Sequence, residues 1–165
     1  MLFDNEIKLR ILYWGPKDSG KTTNIQWLKK IFKNLGKTVT LFGEDGFTIC
    51  FEFLEPVVKL KNFYDVKYLI YSSPGEEAPK LTHDIFLQGI DGIVFVVDSK
   101  KSRLEDNKKS LFKLLELLEE YKEKSGEIQI PMVVQYNKRD LPDALPVEKL
   151  KRELNLEKYP GIEAE

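Results

Sequence analysis

Gly15-Pro16-Lys17-Asp18-Ser19-Gly20-Lys21-Thr22 has the spacing G-x-x-x-x-G-K-[ST]. The residues on either side decide what that spacing means. Upstream, Ile7, Leu9, Ile11 and Tyr13 alternate, which predicts a strand over residues 8–14. Downstream, Ile25, Leu28, Phe32 and Leu35 recur at helical spacing and predict a helix over residues 21–35. Lys29, Lys30 and Lys33 suit its C-terminal end, and Gly36 suits the stop. A strand, this loop and an amphipathic helix together suit a polyphosphate. Such a ligand needs several donors on a concave surface, and the loop N–H groups supply them. Gly15 and Gly20 allow the chain to turn tightly and approach the phosphates closely. The helix directs the positive end of its dipole at the anion. Lys21 adds a full charge near the β and γ phosphates, and the Thr22 hydroxyl suits Mg²⁺.

The alternation of strand and helix continues outward from this unit. Strands are predicted over residues 48–54, 66–71, 92–98 and 132–136; that over 92–98 has the continuous apolar run of a strand buried on both faces, and 132–136 reads as another buried strand. Residues 72–77 are turn-rich, and 79–88 predict a short helix closed by Gly89. Ser102 and Glu105 have the spacing of a capping box. They open a helix whose apolar face is expected to be Leu111, Leu114, Leu115, Leu118 and Tyr121. Pro146 suits the first turn of a helix through Leu154. This order predicts one α/β domain over residues 1–165, with a mainly parallel sheet flanked by helices.

Composition agrees and excludes several classes. In 165 residues there are 26 basic and 27 acidic side chains, for a net charge of -1. That balance argues against a general nucleic-acid binder, whose affinity rests on neutralising phosphates. One cysteine, Cys50, excludes an internal disulfide and a multi-cysteine zinc site, and the lone His83 excludes a histidine metal cluster. The longest strongly apolar run, residues 93–97, is far below the roughly 20 residues that span a bilayer. Neither a signal-peptide layout nor a lipidation motif is visible, so a cytoplasmic protein without a membrane anchor is expected.

Asn137-Lys138-Arg139-Asp140 follows the apolar strand over 132–136. Ligands of parallel sheets bind at the carboxyl ends of strands. An aspartate there can accept from both the ring N–H and the exocyclic amine of guanine, a pair of donors that adenine lacks. Sites built on such bonds reject analogues lacking them by roughly 10⁴- to 10⁵-fold. Asn137 is expected to brace the loop, and the alkyl stem of Lys138 to pack over the base. Taken alone, this tetrapeptide reads as a solvated charged turn. Downstream of a phosphate loop and at a strand end, it points to a guanine nucleotide.

On these phrases, together with Ile90-Asp91-Gly92-Ile93-Val94-Phe95, Val97-Asp98-Ser99 and the long run 137–147, the chain resembles the MglA-type bacterial Ras-like small GTPases, switches of polarity and gliding motility. The resemblance implies a P-loop NTPase fold of the Ras-like kind, GTP or GDP as ligand, and Mg²⁺. It implies a phosphate-binding set of Gly15, Asp18, Ser19, Gly20, Lys21, Thr22 and Thr23. Thr22 and Thr48 would hold Mg²⁺, and Gly75 would donate its N–H to the γ-phosphate, completing a catalytic group of Lys21, Gly75 and Glu76. Asn137, Lys138 and Asp140 would hold guanine, with Ala164 in the last guanine-contact loop. A Roadblock-type homodimeric regulator is the implied partner, at segments 36–47 and 72–81. Phe42, Phe47 and Trp14 are candidate contacts there, or else core.

Three departures from Ras-like patterns bear on mechanism. Ser72-Ser73-Pro74-Gly75 stands where most Ras-like proteins have Asp-x-x-Gly, although a hydroxyl residue there is also similar to the MglA type. Asp98 could help to hold the ion through water or could cap a turn. Glu76 replaces a water-orienting glutamine and adds negative charge beside the γ-phosphate. Phe47 occupies the place of a built-in arginine finger, a group worth about 10³- to 10⁵-fold in rate. A slow GTPase and a non-hydrolysing GTP/GDP-binding module both fit, and a P-loop ATPase fits less well. Ras-like domains usually continue with one more helix after residue 165. Its absence predicts exposed apolar surface, open to self-association or a partner.

Overall fold

The computed structural model describes residues 6–31, 36–42, 48–54, 57–60, 64–73, 87–126 and 129–165. Among them, eight strands form one sheet: β1 (Glu6–Trp14), β2 (Gly36–Phe42), β3 (Thr48–Leu54), β4 (Val57–Leu60), β5 (Tyr64–Ser72), β6 (Gly92–Asp98), β7 (Met132–Asn137) and β8 (Gly161–Glu163). The order is β2-β3-β5-β1-β6-β7-β8, with β4 also on β5. Strands β5, β1, β6, β7 and β8 are parallel, whereas β2, β3 and β4 are joined by antiparallel pairing. The helices described are α1 (Lys21–Ile31), α2 (Leu104–Ser125) and α3 (Val147–Glu153). None is long and apolar enough to cross a membrane among the described residues. A mainly parallel α/β sheet is therefore the architecture, as the alternation predicts.

Strand alternation assigns the two faces. Leu12 and Trp14 of β1 join Ile93, Phe95 and Val97 of β6 and Met132, Val134 and Tyr136 of β7 in the larger core, under Leu111, Leu114 and Leu117 of α2. On the other face, Ile11 and Tyr13 meet Ile25 and Leu28 of α1 and Tyr68 and Ile70 of β5. Trp14 is fully buried and its indole Nε1–H donates to the Ser110 carbonyl at 3.0 Å. It is a core residue and cannot be a partner contact. The side chain of Phe42, and all of Phe47, lie outside the described residues.

Other expectations need correction. The Ser102–Glu105 capping box does not form. A 3-10 turn over Lys101–Arg103 comes first, and α2 starts at Leu104 with no side-chain cap. Just upstream, Asp98 makes a local turn of its own, its carboxylate accepting the Lys100 N–H at 3.1 Å. Leu115 is 40% exposed, while Leu117 is buried. The buried stripe of α2 includes the polar Asn107 and Ser110, and counting them moves its centre to Leu114, about 100° from Leu115. The helix from Lys21 is described to Ile31, and Phe32 and Leu35 lie outside the description. Gly36 begins β2. Of the helix expected over 79–88, only Leu87 and Gln88 are described, with Ile90 N–H closing a turn on the Leu87 carbonyl at 3.4 Å.

Several large apolar side chains are exposed among the described residues, Phe112 of α2 at 65% included. Trp27 and Ile31 of α1 are 59% and 63% exposed, and Ile162 of β8 is 53% exposed. Ile162 stands beside Gln135 in register, and Gln135 bonds Asn24 of α1, so all three lie on the α1 side of the sheet.

Because Trp14 fills the centre of the larger core, Trp14→Ala should cost about 3–5 kcal/mol of stability. Equilibrium denaturant unfolding of the full chain measures it; a loss under about 1 kcal/mol would contradict this packing.

Candidate functional site

The phosphate loop leaves the carboxyl end of β1 and closes on itself. Lys21 is buried, and its Nζ donates to the carbonyls of Gly15 and Pro16, both at 2.7 Å. Ser19 N–H returns to the Pro16 carbonyl at 3.2 Å, and Asn24 N–H makes a rung of α1 to Gly20 at 2.9 Å. Asp18 has φ +63°, a left-handed turn that curls successive N–H groups into a concavity. Both glycines are obligatory here. A Cβ on Gly15 would sit 2.4 Å from the Val96 carbonyl, and one on Gly20 would sit 2.1 Å from Asn137 Nδ2. Thr22 and Thr23 are exposed on the first turn of α1. Two glycines pressed on neighbouring strands, a lysine folded under the loop and a helix start make a cradle that fits an anionic oxygen-rich ligand.

The second loop is held to the first by a buried contact. Asn137, 5% exposed at the end of β7, donates from Nδ2 to the Ser19 carbonyl at 2.8 Å. Two residues earlier, on the same face, Gln135 donates to Asn24 Oδ1 at 3.0 Å and ties β7 to α1. Lys138 turns the chain sharply at φ +62°, and its Nζ pairs with Asp98 at 2.7 Å. Arg139 anchors the far side: its N–H donates to the Ala164 carbonyl at 3.0 Å, its Nε to Glu163 at 3.1 Å and its Nη1 to the Leu145 carbonyl at 2.6 Å. These tethers leave Asp140 exposed at the tip. Tyr136, just before Asn137, is pushed up to about 12 by burial, with Glu148 and Glu157 adding to the effect, so its phenol stays neutral at ordinary pH.

A family model for the ADP-ribosylation factor family matches residues 1–164. The Mutual gliding-motility protein MglA of Myxococcus xanthus (strain DK1622) is 36% identical over 162 residues, covering 96% of this chain and 82% of that protein. The chain belongs to the MglA-type Ras-like small GTPases. Membership in this GTPase family makes it a GTP-binding switch protein.

The structure brings most of the expected residues to one end of the sheet. Gly15, Asp18, Ser19, Gly20, Lys21, Thr22 and Thr23 form one loop and helix start. Asn137 touches that loop, and Lys138 and Asp140 follow it. Ala164 lies behind the base loop. Its own N–H donates to the Tyr136 carbonyl at 2.9 Å, so it extends the strand ladder while its carbonyl holds Arg139. The register Phe53↔Tyr71 carries Thr48 past the carboxyl end of β5, the same end as the phosphate loop; its side chain lies outside the description. So do Phe47, Gly75 and Glu76. Ser72 and Ser73 are buried at this end, and Ser73 N–H donates to the Tyr13 carbonyl at 2.9 Å. Of the two roles open to Asp98, the structure shows the cap, with one carboxylate oxygen on Lys100 N–H and the other on Lys138.

Sequence reasoning missed Gln135, Asn24 and Arg103 as parts of the site. Polar Gln135 inside an apolar strand was the available signal for the first pair. No spacing announces Arg103.

Gly20→Ala combines left-handed strain with a clash on Asn137. It should weaken guanine-nucleotide binding roughly 30- to 100-fold. Titration with a fluorescent GDP measures it; parental affinity would contradict the packing of Gly20 on Asn137.

Proposed function

We propose that the chain is a single-domain cytoplasmic switch over residues 1–165 that hydrolyses GTP to GDP with Mg²⁺, slowly alone and faster with a partner. The observation that carries this reading is the bond from Asn137 to the Ser19 carbonyl, which joins a base-reading loop to a phosphate loop in one buried unit. The phosphate set is Gly15, Asp18, Ser19, Gly20, Lys21, Thr22 and Thr23. Lys21 supplies charge to the β and γ phosphates. Asp140 accepts from guanine, Lys138 lays its stem over the base, and Ala164 supports their loop. Thr22 and Thr48 hold Mg²⁺, which when bound offsets negative charge on the phosphate oxygens. Gly75 and Glu76 complete the catalytic group with Lys21.

Two residues set the rate. Phe47 carries no charge where an arginine would stabilise the transition state, and Glu76 adds negative charge where an amide would orient water. Phosphoryl transfer depends on positioning and on charge stabilisation, so both slow the intrinsic reaction. A partner that lends an arginine or an amide restores it. A Roadblock-type homodimeric regulator acting at segments 36–47 and 72–81 fits that role, given the resemblance to the MglA type. The exposed Trp27, Ile31 and Ile162 offer a face for self-association. Phe47 and Glu76 also favour a second reading, a module that signals by nucleotide occupancy without turnover.

Single-turnover GTP hydrolysis with Mg²⁺, followed by chromatography of GDP, separates the two. Conversion by the chain but not by Lys21→Ala supports the enzyme; GTP bound and recovered intact supports the occupancy module. Asp140→Asn should lose guanine preference under both readings, and unchanged discrimination between guanine and adenine nucleotides would contradict the base assignment.

A further inference from the structure

Asp98 is 1% exposed at the carboxyl end of β6, between the two ligand loops. Asn107 of α2 clamps its backbone: Asn107 Oδ1 accepts the Asp98 N–H at 3.0 Å, and Asn107 Nδ2 donates to the Asp98 carbonyl at 2.8 Å. Its carboxylate is divided between the Lys100 N–H at 3.1 Å and Lys138 Nζ at 2.7 Å. Arg103 approaches from the start of α2. Its Nε lies 3.7 Å from Asp98 Oδ2, its Nη2 donates to the Lys17 carbonyl at 2.5 Å, and its Nη1 pairs with Asp106. One guanidinium thus touches the phosphate loop, the buried carboxylate that anchors Lys138, and the helix behind both.

We propose that Asp98 and Arg103 are positioning residues whose brace couples the base loop to the phosphate loop and sets the rate of guanine-nucleotide release. The proposal rests on the guanine-nucleotide reading above and adds residues to it. Lys138 holds a left-handed conformation disfavoured for a residue with a Cβ, and its ammonium on Asp98 fixes the direction of the stem. Lys17 precedes the left-handed Asp18, so a carbonyl held by Arg103 keeps the concavity formed before ligand arrives, which reduces the cost of binding. The buried carboxylate needs its cations, and removing one member of such a group leaves the others poorly placed. The members should therefore behave as a unit, with effects that do not add.

The test is release of N-methylanthraniloyl-GDP from the full chain, chased with excess GDP. Bonds to charged groups of this kind correspond to roughly 10- to 100-fold, so Arg103→Ala and Asp98→Asn should each speed release by at least about tenfold. The combined variant should stay within about twofold of the faster single one. Arg103→Lys should remain fast, because an ammonium cannot fork across three acceptors. The nucleotide-free melting temperature of Arg103→Ala should stay within about 2 °C of the parent. Release at the parental rate from Arg103→Ala overturns the brace. So do single effects that multiply fully in the combined variant, and a nucleotide-free melt that falls in step with release. If Asp98→Asn does not fold, Arg103→Ala, whose guanidinium is partly exposed, decides alone. A parent that holds no GDP sinks the guanine reading and the brace with it; a parent that holds GDP beside unaffected variants sinks the brace only.

Discussion

The phosphate loop rises from β1 and the Asn137–Asp140 loop, proposed to read the base, from β7, and β6 lies between those strands. No backbone ladder can join them, so a side chain must. Asn137 does this by donating to the Ser19 carbonyl, a bond buried at the level of Gly20, which has no room for a Cβ. Buried side-chain bonds of this kind are strongly constraining because the alternative is an unsatisfied amide and carbonyl in low dielectric. That contact sets the loop after β7 directly against the cradle and the first turn of α1.

A second layer stands behind it. Gln135 repeats the grip one period earlier on β7 by bonding Asn24, and Asp98 distributes its buried carboxylate among Lys100, Lys138 and the nearby Arg103. Arg139 and β8 close the outer side. The base loop is therefore a short segment with one residue at positive φ, held at each of its first three residues by a different element. A loop so restrained can present Asp140 in a fixed direction without burying it, which suits selective recognition of a base edge.

The catalytic side is built differently. Thr22 and Thr23 sit on a rigid helix turn, and β1 pins Ser73 through the Tyr13 carbonyl. In the proposed function, Phe47 and Glu76 matter through charge: one position lacks a cation and the other adds an anion. On the proposed reading, that charge balance slows turnover and leaves room for a partner to raise the rate.

Much of this was legible in the residues. The phosphate loop identified itself because its chemistry is local: glycine conformations, a helix start and a lysine need only consecutive positions. The base loop was legible for the same reason once its strand was recognised. The continuous apolar run of β6 and the largely apolar β7 read as buried strands in this context. What was not legible depends on distant pairing. Strands β2, β4 and β8 are short or sit at an edge, and their own residues do not impose an extended form without a neighbour to bond. The capping box had the right letters, yet a 3-10 turn over Lys101–Arg103 runs straight into α2 and leaves no side-chain cap. Trp14 could have been core or contact until α2 covered it. The sequence by itself determined the chemistry of each loop, because that chemistry is carried by adjacent residues. Only the tertiary structure decided which distant side chains hold the loops together, because Asn137–Ser19, Lys138–Asp98 and Arg103–Lys17 join residues brought together by the strand order of the sheet.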